Sequence, residues 1–180
     1  MATEQKHAKL VLAVGIFAMA LLVIGTFISG GSLLQKILFV IGASVLGAVA
    51  YFNKQKMFTV LQTVATIGAV LAFTNLASAF RYGIMLSVAV GGVVYLVKHK
   101  QYKEDPWSTI ASLGLVLFAI GLATNPVLLP IVWSLAFMFG GILVASYSAV
   151  GFFKNKIKIA AIWLILNLLL TVNPIRLLLG

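Results

Sequence analysis

Seven long apolar runs, separated only by short polar bends, leave this chain few ways to fold. Three of the bends are basic and closely related: Tyr51-Phe52-Asn53-Lys54-Gln55-Lys56, Tyr95-Leu96-Val97-Lys98-His99-Lys100 running on to Lys103, and Phe152-Phe153-Lys154-Asn155-Lys156-Ile157-Lys158. Each closes one apolar run and opens another. The chain is 62% hydrophobic and 9% charged, whereas a soluble domain carries about 25% charge. So little charge cannot cover a surface in water, so the expected solvent is lipid. Lipid offers backbone groups no hydrogen-bond partners, so the spans must be helices or a closed barrel. The runs lack the alternation of barrel strands. The expected fold is therefore all-α: a polytopic integral membrane protein, one transmembrane domain over residues 1–180, with about seven helices and short loops.

The helices are expected near 10–29, 33–52, 57–77, 82–98, 106–124, 127–153 and 158–173. A bilayer core of roughly 30 Å needs about 20 apolar residues. Gly30-Gly31-Ser32 reads as a turn, and Leu76 to Tyr82 as a connection that holds Arg81. The fifth helix has the clearest start, with Asp105 as N-cap and Pro106 at its first position. Asn125-Pro126 and Asn173-Pro174 read as stops.

Cations set the expected orientation. Lys6, Lys9, Lys54, Lys56, Lys98, Lys100, Lys103, Lys154, Lys156 and Lys158 fall on one side, and Lys36, Arg81 and Arg176 on the other. The positive-inside rule puts the N-terminus in the cytoplasm and the C-terminus outside, in a cell inner or plasma membrane. The net charge of +10 does not point to nucleic acid, because the lysines lie between apolar runs. Their expected partner is the bilayer itself, with its anionic headgroups at the cytoplasmic face.

The recurring bends suggest an internal repeat. It divides the chain either into two-helix hairpins with one helix left over, or into three helices, a linking helix and three more. The second division sets Phe39-Val40-Ile41-Gly42-Ala43 beside Phe137-Met138-Phe139-Gly140-Gly141.

Little chemistry is available. The acids are Glu4, Glu104 and Asp105, the histidines are His7 and His99, and there is no cysteine. None of these lies near the centre of a run, where proton relays, haem ligands or carboxylate-held metals would need them. No cofactor, metal site or catalytic residue is expected, and the chain is not expected to be an enzyme. The polar residues left inside the runs are candidates for lining a pathway: Asn167, Gln62, Tyr147 and Trp133. The competing role for them is hydrogen bonding between helices. Small residues four apart mark close-packing faces: Gly83, Ser87 and Gly91, and Gly141, Ala145 and Ala149. Such faces serve equally within one chain, in a homo-oligomer or against other membrane subunits.

The three-one-three division resembles the sugar facilitators and nicotinamide riboside permeases, and the stretch from Asp105-Pro106-Trp107-Ser108 to Leu129-Pro130-Ile131-Val132-Trp133 is similar to that broad group. The Pro-Gln pair of the sugar facilitators is absent, with Asn-Pro at Asn125 and Asn173 instead, so no site residue is carried over. The hairpin division is similar to small acid-resistance membrane proteins. Two functions are therefore weighed. One is a passive carrier or channel for a small uncharged solute. The other is a non-catalytic accessory or scaffold subunit of a larger membrane complex.

Overall fold

The computed structural model describes residues 2–28 and 32–179. Eight helices form among them: α1 (Ala2–Phe27), α2 (Leu33–Phe52), α3 (Lys56–Leu71), α4 (Ser78–Lys98), α5 (Gln101–Glu104), α6 (Ser108–Ala123), α7 (Pro130–Ala149) and α8 (Ala160–Leu179). A π-helical turn, Val150–Lys154, extends α7. Four helices are long and apolar enough to cross a membrane: Lys9–Phe27 within α1, α2, α4, and α7 with its π turn.

Several boundaries differ from the sequence expectation, each for a local reason. α1 begins at Ala2 rather than residue 10, because the polar opening is itself composed largely of helix formers. The turn expected at Gly30-Gly31 lies outside the described residues. Ser32 is the N-cap of α2, and its Oγ accepts from the Gln35 backbone N–H. α3 ends at Leu71, not residue 77. There the Phe73 and Thr74 amides switch to bonds three residues back, and the Thr74 hydroxyl also donates to the Leu71 carbonyl. α4 consequently starts at Ser78, so Arg81 sits in its first turn and not in a connection. There its guanidinium donates to the Thr74 carbonyl.

An eighth helix, the single turn α5, forms inside the second basic bend, so the expected count of seven is one short. Asp105 does cap the next segment, its Oδ1 accepting from the Trp107 amide. The first turn is wound with i→i−3 bonds, however, and the α-helix registers from Ser108. Residues 127–129 form a loop ahead of α7, with Pro130 at a first position rather than inside the helix. Asn173-Pro174 does not stop α8, which continues through a buried Pro174 to Leu179.

Packing follows chain order and then closes. α1 packs on α2, α2 on α3, α6 on α7, α7 on α8, and α8 returns to α1, while α3 meets α6. Six helices thus make a ring. α4 stands outside it, wedged on α3 and α6. The contacts α3–α6 and α8–α1 exchange when α1–α3 is swapped with α6–α8.

Glycines set the closest approaches. Gly114 and Gly140 oppose each other across α6 and α7. A Cβ on Gly114 would stand 3.0 Å from the Gly140 carbonyl, and one on Gly140 3.2 Å from the Gly114 carbonyl. Gly42 lets α2 reach the Ala18 carbonyl and Leu22 of α1. Gly141 sits against Thr171 and the Asn167 carbonyl of α8. Ala145 is buried in the same helix, and Ala149 is half-buried. The stripe on α4 is different: Gly83, Ser87 and Gly91 are exposed, and a Cβ on either glycine would meet nothing within 4 Å. Among the described residues, that face is not a seam within the chain.

Candidate functional site: a polar cleft over an aromatic stack

The three basic bends gather at one end of the bundle and share one local geometry. In each, the helix ends on a polar residue (Asn53, His99 or Asn155) and a lysine follows in the left-handed region: Lys54 at φ 57°, Lys100 at φ 56° and Lys156 at φ 57°. This is the αL helix stop, which glycine normally occupies because a Cβ is unfavourable there. In the first bend the Gln55 amide reaches back to the Ala50 carbonyl, and in the third the Ile157 amide reaches the Gly151 carbonyl. These bonds satisfy carbonyls that the helix end leaves open.

Between the bends lies a cleft of about 450 Å³. The first bend lines it with Lys54, Gln55 and Lys56, and the second with Gln101 and Glu104 through Trp107. The third adds Tyr147, Lys154, Asn155 and Ile157. Lys56 is held in place, its Nζ 3.1 Å from Glu104 Oε2 and donating to the His99 carbonyl. Glu104 is 61% exposed and Lys56 half-buried at 30%, so solvent screens the pair and it contributes at most about 1 kcal/mol. Its visible effect is to tie the first bend to the second.

Tyr147 faces Asp105 and Ser108 on the cleft side. On its other side its ring meets Phe58, 5.3 Å between centroids. Phe58 in turn stacks on Trp163 at 4.3 Å and 16°. These residues come from α7, α3 and α8, so the stack joins three helices of the ring. Trp163 is fully buried, and its Nε1 has no protein partner.

α3 and α8 both leave the end that carries the bends. Gln62 and Asn167, each four residues beyond a stacked ring, therefore lie about 6 Å further into the bundle. Gln62 is 3% exposed, and its Oε1 has no protein partner. Asn167 is 2% exposed and donates from Nδ2 to the Trp163 carbonyl at 2.6 Å. A buried polar atom without a partner costs about 1–3 kcal/mol. Two of them, the Gln62 amide oxygen and the Trp163 indole N–H, beside the Asn167 amide form a neutral polar layer. Among the described residues no charged side chain is buried.

The four sequence candidates thus divide. Gln62 and Asn167 lie in this layer, and Tyr147 separates it from the cleft. Trp133 is elsewhere, half-buried and 4.9 Å from Phe137, which packs on Phe118. Sequence reasoning missed Phe58 and Trp163, and also the Glu104-to-Trp107 wall of the cleft. The signal for the first two was an aromatic residue four before an amide in two separate runs, Phe58 with Gln62 and Trp163 with Asn167.

No family model, curated protein or solved structure matches this chain.

Proposed function

We propose that this chain is a multi-pass membrane protein that carries a small uncharged solute passively, without catalysis. Its outer faces are apolar, with Phe17, Phe27, Phe80, Val90, Ile131 and Phe139 all exposed. An aqueous solvent would disfavour such a surface. α3 and α6 are short, about 24 Å each, and the turns that follow them complete the crossing. The lysine-rich end is cytoplasmic in this reading, following the positive-inside rule. The exchangeable contacts α3–α6 and α8–α1 favour the three-one-three division over hairpins, with α4 as the linking helix. Parallel repeats of this kind place a substrate site where the halves meet.

The observation that carries the proposal is the buried pair of unpartnered atoms, Gln62 Oε1 and Trp163 Nε1. One accepts and the other donates, both are neutral, and they belong to α3 and α8, which meet through the Phe58–Trp163 stack. A hydroxylated or amide-bearing solute would satisfy both, whereas an ion would find no counter-charge. The stacked rings of Phe58, Trp163 and Tyr147 would close the route to the cleft until the halves rock.

Uptake of labelled neutral solutes into proteoliposomes tests this. Wild type is expected to conduct at least one, and Gln62→Leu and Asn167→Leu to lose it while remaining folded. Wild type equal to empty liposomes for every solute refutes carriage. The second reading, a subunit of a larger assembly, is favoured by the exposed small-residue stripe on α4. It predicts that a partner copurifies under mild detergent and that Gly91→Leu releases it.

A further inference from the structure

We infer that the cleft between the basic bends binds a small zwitterion, an anionic phosphate or carboxylate joined by a short linker to an ammonium group. This site is separate from the neutral layer and does not rest on the carrier reading.

The charges left over after internal pairing define the ligand. Among the described residues the one ion pair is Lys56 with Glu104. Lys54 and Lys154, from the first and third bends, line the same cleft and, among the described residues, form no ion pair. Two unpaired ammonium groups on converging bends make an anion site. Lys54 occupies a left-handed backbone position that favours glycine. Strain retained at such a position points to a use for the side chain that glycine lacks.

An anion alone is not the best fit. Asp105 lines the same cleft, where its Oδ1 accepts from the Trp107 amide and its carboxylate meets the Tyr147 hydroxyl, both neutral donors, and among the described residues it forms no ion pair. Trp107, exposed on the same wall, gives the carboxylate an aromatic neighbour suited to a cation. The cleft is thus bipolar, with lysines from the first and third bends and a carboxylate with one indole ring from the second. Electrostatic complementarity then favours a ligand carrying both signs over either sign alone. The volume of about 450 Å³ lies in the range of small-molecule sites. Such a ligand would not pass the Gln62–Asn167 layer, where neither charge would be compensated. It is bound at the bundle end and not carried.

The same chemistry occurs free in solution and as a phospholipid headgroup, and both sources are tested. Purified protein in detergent is titrated calorimetrically with glycerophosphoethanolamine, with glycerol phosphate and with ethanolamine. In parallel, native mass spectrometry measures which lipid is retained from bicelles of mixed phosphatidylethanolamine and phosphatidylglycerol. The zwitterion is expected to bind more tightly than either half-molecule. Lys54→Gln/Lys154→Gln is expected to weaken it by about tenfold or more. Asp105→Asn keeps the helix cap, since both side chains cap well, and is expected to reverse the preference toward glycerol phosphate. Binding of the soluble headgroup assigns a free ligand, and selective retention of phosphatidylethanolamine without it assigns the lipid. Three results overturn the inference: glycerol phosphate binding wild type as well as the zwitterion does, the double lysine variant binding unchanged, or no probe binding and no lipid selectivity.

Discussion

Adding one methyl group should have opposite signs at two helix glycines that sequence alone treats alike. At Gly114 a Cβ would stand 2.8 Å from Val144 Cγ2 and 3.0 Å from the Gly140 carbonyl. The valine can turn, but the carbonyl belongs to the backbone of a packed helix. Forced overpacking of this kind costs about 1–3 kcal/mol. Alanine recovers about 1 kcal/mol of helix propensity, so Gly114→Ala is expected to destabilise by about 1 kcal/mol net. At Gly91 nothing lies within 4 Å, so only the propensity gain remains, about 1 kcal/mol in the stabilising direction. The two variants should therefore differ by about 2 kcal/mol, roughly thirtyfold in the folding equilibrium. Reversible unfolding in mixed micelles, with protein dilute enough to be monomeric, measures it. If Gly91→Ala destabilises the dilute monomer as much as Gly114→Ala does, α4 is packed against the bundle by a face that this structure leaves open. If Gly114→Ala is neutral, the α6–α7 contact is looser than the backbone approach implies.

Replacing Lys54, Lys100 and Lys156 together by glycine relieves three left-handed lysines and should raise thermal stability in detergent, by about 0.5–1 kcal/mol per site. Unchanged or lowered stability would mean that the lysines pay for their backbone strain through contacts of their own. Cysteine at each of the same three positions, in a chain with no cysteine of its own, should react with an impermeant thiol reagent from one side of intact cells only, the cytoplasmic side. Reaction of any one of them from outside would break the orientation. Trp163→Phe keeps the stack on Phe58 and removes the unpartnered Nε1–H, so it should leave stability unchanged or improved by about 1 kcal/mol while impairing uptake. Loss of stability instead would show that Nε1 has a structural partner.

Periodicity and charge placement carry much of this fold. An unbroken apolar run has one way to satisfy its backbone, so the helices were legible from Leu33 to Phe52 almost to the residue. Lysine clusters mark bends whatever the packing around them, and their common left-handed stop follows from a helix ending on a polar residue. Helix ends governed by longer-range contacts were not legible. Asn173-Pro174 reads as a stop in sequence, yet α8 runs through it with Pro174 buried. α3 gives up its last turn where Thr74 and Arg81 bond back to the chain.

Small-residue spacing could not tell Gly141, which meets Thr171, from Gly91, which meets nothing, because spacing names a face and not its neighbour. Nor could it foresee that the three bends enclose a cleft, or that Phe58 and Trp163, 105 residues apart, would stack. The sequence by itself determined a helical chain with apolar outer faces, lysines at its bends and, among the described residues, no buried charged residue, since these depend on each segment's own solvation. Tertiary structure alone decided which polar atoms were left without partners and which charges without counter-ions, because those are properties of what the remaining helices bring alongside.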